Sequence, residues 1–208
     1  MSRLIVTNVE TQNIKFDSDT TAFTIASDGT TSGVGAGAMV LLHTTTVTSN
    51  VGEVVIDGLF SSTYKNYKII ASNVHLDTDA NLNLKYMSGG SLLTGSYHRS
   101  NRVRTVNSLS TVANQNESTD TEFAKVGGAV GNDTGEQSNF ELIIYDPLAT
   151  DNFKHFSSLT NNVNSGGSSE IGVMAGFYNN GQAALSGVEI VPSSGNIASG
   201  IFKLYGIK

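Results

Sequence analysis

Apolar and polar positions alternate with period two through most of this chain. Asn81 to Tyr86 sets Leu82, Leu84 and Tyr86 on one face and Asn81, Asn83 and Lys85 on the other. That is the pattern of a half-buried strand with one wet face. Asn152 to Leu159 sets Phe153, His155 and Ser157 opposite Lys154, Phe156 and Ser158. Tyr67 to Val74, with Ile69 and Ile70 adjacent, and Phe140 to Tyr145 read as strands covered on both faces. Val51–Ile56, Glu122–Val130, Glu170–Tyr178, Leu185–Val191 and Ile201–Ile207 are further predicted strands. Helical spacing of apolar residues is not sustained anywhere. The expected core residues are Ile69, Leu82, Leu84, Leu142, Ile144, Val173, Ile190 and Leu204.

Turn chemistry separates these runs. Ser88-Gly89-Gly90, Asn132-Asp133-Thr134-Gly135, Ser165-Gly166-Gly167 and Asn179-Asn180-Gly181 supply positive φ at little cost. Asn180-Gly181 between apolar runs predicts a hairpin. The polar stretch Val106–Thr121 is too long for a hairpin loop and reads as a surface excursion. Before residue 41 the pattern changes. Leu4-Ile5-Val6, Ile14-Lys15-Phe16 and Ala22–Ala26 are short strands, followed by the glycine-rich run Thr31–Ala38. Three such strands cannot hold a fold alone. The expectation is therefore an all-β chain. An N-terminal arm of short strands spans 1–40, and a jelly-roll-like antiparallel β-sandwich spans 41–208.

Composition narrows the function classes. The chain has 208 residues and a net charge of −6. Charged residues make up 14% of it, against roughly 25% in an average soluble domain. Nucleic-acid binding needs clustered Lys and Arg, and Arg99, Arg102 and Arg104 form one small patch on an acidic chain. No nucleic-acid partner is expected. With no cysteine, disulfides, thiolate metal sites and cysteine nucleophiles are excluded. No apolar run approaches the roughly 20 residues of a membrane helix, so membrane insertion is not expected. The N-terminal stretch lacks a basic start followed by an apolar run, so no secretory signal is expected either.

Several local motifs fail the context their chemistry requires. Gly33-Val34-Gly35-Ala36-Gly37-Ala38 fits a dinucleotide fingerprint, but a turn precedes it and strand-like Thr44–Val47 follows. A flexible linker explains it better. Asp77-Thr78-Asp79 begins like a calcium loop, yet Leu82 and Ser88 stand where the loop wants Gly and Glu. Ser62-Thr63-Tyr64-Lys65 lacks its partner Lys-Thr-Gly strand. His43, His75, His98 and His155 are too far apart for a local metal pair. Asn116 and Asn132 fit glycosylation acceptors and are expected to be bare. Asp146 and Asp151 flank one loop and are the nearest thing to a catalytic acid pair. No catalytic residue, metal or cofactor is expected. Two strand-end runs, Tyr97-His98-Arg99 and Tyr178-Asn179, join aromatic and polar groups as sugar contacts do; they are the candidate ligand residues.

The run Thr11 to Thr31 is similar to the N-terminal segments of fibre and appendage proteins of tailed bacteriophages, especially short-tailed phages of marine bacteria. The ending Ser199–Ile207 resembles the terminal strand of the β-sandwich such proteins carry, and Tyr64–Ile70 an early strand of it. The resemblance implies a virion structural protein, usually a homotrimer, attached to other virion proteins of tail, collar or capsid through its N-terminal part. Ile5, Ile14, Phe16, Phe23 and Ile25 would then be the attachment and oligomerisation residues. The distal sandwich would face outward, toward a host surface glycan. A capsid or collar spike is an alternative within this class. A carbohydrate-binding module is the rival outside it, and the absence of Trp weighs against that.

Overall fold

The computed structural model describes residues 13–15, 21–25, 31–32, 39–95, 98–107, 112–121 and 124–208. The strands are, in order, β1 (Asn13–Lys15), β2 (Thr21–Ile25), β3 (Thr31–Ser32), β4 (Met39–Val47), β5 (Val54–Asp57), β6 (Asn66–Leu76), β7 (Ala80–Ser88) and β8 (Ser91–Leu92). They continue with β9 (His98–Val106), β10 (Ala113–Thr121), β11 (Ala124–Val130), β12 (Ser138–Tyr145), β13 (Lys154–Val163), β14 (Ser169–Tyr178), β15 (Gly187–Pro192) and β16 (Ile197–Ile207). The described residues contain no helix, and the chain divides into two compact units, Met1–Val40 and Leu41–Lys208.

In the first unit β1, β2 and β3 form an antiparallel sheet in that order, with Ile14 opposite Phe23 and Ile25 opposite Thr31. Ile5 and Phe16 lie outside the described residues. The second unit is an antiparallel sandwich. An eight-stranded sheet runs β10-β9-β14-β13-β12-β6-β16-β4, and a smaller one runs β11-β7-β15-β5 with β8 beside β7. Alternate residues of both sheets meet between them. Tyr67, Ile69, Leu142, Ile144, Phe202 and Leu204 of the large sheet pack with Ile56, Leu82, Leu84, Tyr86, Val188 and Ile190 of the small one. All are buried because a strand's period sends every second side chain inward. Burial pushes the Tyr86 phenol far above its ordinary range.

One wing of this sandwich reverses the usual polarity. On β9, β13 and β14 the inward positions include His98, Ser100, Arg102, Lys154, Ser158, Thr160, Asn162 and Glu170, among the apolar Val106, Phe156, Met174 and Tyr178. Glu170 is fully buried; it accepts from Arg102 Nη1 at 2.9 Å and from Arg104 Nη1 at 2.6 Å. Ser158 Oγ donates to the Val126 carbonyl at 2.8 Å, and Asn162 Nδ2 to the Ala129 carbonyl at 2.8 Å. The polar wing is thus stitched to β11, whose register slips between Lys125 and Ala129. Buried polar groups persist because they are paired. Gly128 of β11 lies over the ion pair, where a Cβ would fall 2.2 Å from Glu170 Oε1.

Four expectations are corrected. Val173 is 54% exposed, because Glu170 and Met174 hold the inward positions of β14 and leave Ile171 and Val173 outside. Asn83 is buried, since β7 is an inner strand between β11 and β15. Asn180-Gly181 opens no hairpin: β14 belongs to the large sheet and β15 to the small one. The connection instead drops Leu185 into the core, with its N–H on the Pro147 carbonyl at 2.9 Å. Part of the supposed excursion Val106–Thr121 is strand β10, paired along β9. An edge strand needs only backbone partners, so its polar sequence hid it.

Candidate functional site

The outer face of the large sheet is organised in rows that run across the strands. The register places Arg99, Phe177, His155 and Tyr145 side by side on β9, β14, β13 and β12. The next row is Asn101, Ala175, Ser157 and Ile143, and the next is Val103, Val173, Leu159 and Glu141. The first row is flat and π-rich, the second small or polar up to Ile143 at its end, the third mostly aliphatic.

Over the first two rows opens a cleft of about 920 Å3, within the size range of small-ligand sites. One wall is the Asp146–Phe153 connection between β12 and β13. Phe153 stacks nearly parallel to Phe177, with centroids 6.0 Å apart and planes 10° apart; the His155 ring lies 5.5 Å from Phe177. Phe153 is 45% exposed, so its ring is held in place yet open to solvent. Tyr145 Oη and Ser157 Oγ share a hydrogen bond of 2.8 Å across the floor. Asn152 Nδ2 donates to Asp151 Oδ1 at 3.0 Å, and Gln182 Nε2 to the Asp151 carbonyl at 3.1 Å. The β14–β15 connection is thereby tied to the wall.

The wall is built on strained and buried anchors. Asp146 sits at φ 42, a left-handed conformation that Asp tolerates better than most residues. Its N–H donates to Asn66 Oδ1 at 3.2 Å, and its carboxylate pairs with Lys65. Lys154, almost wholly covered, sends its ammonium to the Ala149 carbonyl and so pins the middle of the loop. Burial lowers the Lys154 pKa; the nearby Asp146 and Asp151 carboxylates partly oppose that.

The expected ligand residues separate. Arg99 is exposed and lines the cleft. His98 and Tyr178 are cross-strand neighbours on the opposite face, with rings 4.9 Å apart and packed on Tyr86 in the interior. Asn179 is half-buried just past the strand, and Tyr97 lies outside the described residues. The aromatic that shares the surface with Arg99 is Phe177, its direct partner across β9 and β14. Tyr145, Asn152, Phe153, His155 and Gln182 carry no site motif in the sequence, and Asp151 stands out there only as a possible acid beside Asp146. The one usable signal was the alternation that put Phe153, His155 and Ser157 on a common face.

The other carboxylate candidates serve the scaffold. Asp77 accepts from the Asn196 N–H at 2.6 Å, Asn196 Nδ2 at 2.7 Å and Asn50 Nδ2 at 2.9 Å. The Asn196 donors hold its carboxyl below the usual range. Asp79 Oδ1 accepts from the Asn132 N–H at 3.0 Å. Both close turns at one end of the sandwich. Asp146 and Asp151 do line a common cleft. Among the described residues no cluster of three or more His, Asp or Glu side chains could hold a metal ion. Comparison with protein families, with curated proteins and with solved structures finds no match to this chain.

Proposed function

We propose that the chain is a structural subunit of a bacteriophage virion, a tail-fibre or spike protein that works as a homotrimer. Residues 1–40 dock it on other virion proteins, and the sandwich of 41–208 is presented outward. The observation that carries this reading is the reversed wing. Val103, Val173 and Leu159 form one exposed row, each about half exposed, with Ile171 beside them on β14. A monomer gains nothing by turning aliphatic side chains to water while burying arginine and glutamate. Contiguous exposed apolar surface marks an interaction face, and a closed symmetric oligomer would cover it on every copy. The low charge content, the absence of cysteine and the resemblance at the two ends support the same reading. No catalytic step is part of it.

The test has two arms. Gold-labelled antibody against 41–208 should decorate one fixed location on purified particles of the phage that encodes the chain. The recombinant chain should sediment as a trimer, and Val173→Asp with Leu159→Asp should shift it toward a monomer that keeps its β circular-dichroism spectrum, with a lower melting midpoint because association no longer adds to stability. A stable micromolar monomer, or particles in which mass spectrometry finds none of the chain, would overturn the proposal.

A further inference from the structure

We infer that the cleft over Phe177 binds a short neutral oligosaccharide. A sugar ring has an apolar C–H face and a rim of hydroxyls, so its site needs flat apolar groups beside neutral hydrogen-bonding ones. The first row of the outer face supplies the flat groups: the Phe177 ring, the imidazole of His155 and the phenol of Tyr145 on adjacent strands, with Phe153 stacked parallel to Phe177. Aromatic faces held in place by a rigid sheet stack a ligand at little entropic cost. The row from Arg99 to Tyr145 crosses four strands about 4.8 Å apart, so it extends roughly 14 Å. That length suits several linked rings better than one.

The second row makes the shelf. Ala175 is small enough to let a ring settle against the aromatic row, and Asn101 and Ser157 flank it with an amide and a hydroxyl. The wall adds Asp151, Asn152 and Gln182. A carboxylate accepts from two hydroxyls at once, and amides both donate and accept. Hydroxyl-rich ligands match this set.

Charge selects among sugars. Asp146, Asp151 and Arg99 all border the cleft, so its lining holds two carboxylates and one guanidinium. The Lys65 ammonium beside it is matched by Asp146. Arg99 and Asp151 then offset each other, so a polyanion finds no net positive field in the cleft of a chain whose net charge is −6; a neutral sugar needs none. This inference rests on the proposed outward presentation and places the ligand on the aromatic half of the outer face, beside the aliphatic row that association would cover.

The experiment is saturation-transfer NMR on the full chain. The probes are linear oligosaccharides of glucose, of mannose and of galactose at millimolar concentration, with a sialylated oligosaccharide as the acidic counterpart. At least one neutral probe should bind. Phe177→Ala and, separately, Phe153→Ala should weaken it by about tenfold, as expected for loss of one stacking ring. Phe177→Tyr should retain it. Phe153 stands on the loop, so its variant reports on binding even if changes on β14 disturb the sheet. Silence from all three neutral probes overturns the inference. So does binding that neither alanine variant changes, or tighter binding of the sialylated probe. Sugar binding is read on the free chain and particle location on virions, so the two readings fail separately.

Discussion

Replacing Glu170 by Gln removes one charge from the most enclosed ion cluster of the sandwich. The carboxylate has no solvent exposure and holds two guanidinium groups, at 2.9 Å and 2.6 Å. Gln offers one acceptor, and its amide N–H groups would face the remaining Arg donor. Arg102 is itself 6% exposed, so its charge cannot turn to water. Gly128 closes the site from above, with room for no added carbon. Removing one partner of a buried pair costs about 3–5 kcal/mol, a large share of the roughly 5–15 kcal/mol that holds a domain together. The control is Glu141→Gln, where the carboxylate pairs with Lys68 at 2.6 Å but is 48% exposed. Surface pairs of that kind contribute under about 1 kcal/mol. Urea melts at neutral pH compare the two directly. Changing the cluster together, Arg102→Met and Arg104→Met with Glu170→Leu, should recover much of the loss, because replacing all three members strands no charge. If Glu170→Gln costs no more than Glu141→Gln, the cluster is solvated and the account of the polar wing is wrong.

Leu84→Ala should cost about 2–5 kcal/mol in the same melts, while Val55→Ala, on the exposed face of β5, should stay within about half a kcal/mol; equal losses would mean the face assignment of the small sheet is mistaken. A chain starting at Met39 should unfold in one cooperative urea transition yet fail to incorporate into particles, and a truncated chain that cannot fold would make the arm part of the sandwich. Asp77 is held below its ordinary pKa by Asn196, so the folded state releases that proton at lower pH than the unfolded chain. Its contribution is therefore complete above the unfolded value near pH 4 and fades as pH falls through the folded value. Asp77→Asn should flatten the acid limb of a stability-against-pH curve, and an unchanged limb would refute the role given to the Asp77–Asn196 hydrogen bonds.

The strands were legible where one face is apolar and the other wet. Leu82, Leu84 and Tyr86 of β7 face inward as their alternation requires, and so do Ile69, Leu142, Ile144, Ile190 and Leu204 in their strands. His155 and Ser157 share the outer side of β13, with Phe153 just before it, and the cleft is built on that side. What stayed hidden was hidden for a physical reason. The backbone of β10 is satisfied by β9 whatever its side chains are, so no apolar pattern marks it. The β14–β15 connection carries a strong turn dipeptide, but which sheet the next strand joins depends on where Leu185 can be buried.

Val173 shows the deeper limit. Period two divides a strand into two faces without saying which one is inside. For β14 the apolar side, Ile171 and Val173, is the natural guess. The choice was made instead by residues far along the chain, when Arg102 and Arg104 of β9 met Glu170 across one ladder. Once that pair faces inward, strand pairing carries the decision sideways. Arg99 and Phe177 come out together, His98 and Tyr178 go in together, and the aliphatic row and the aromatic row share the outer surface. The buried charge cluster thus sets what the outer face displays. The two sites proposed for that face, an interface between copies and a sugar cleft, both depend on polar groups that contact neither ligand nor partner.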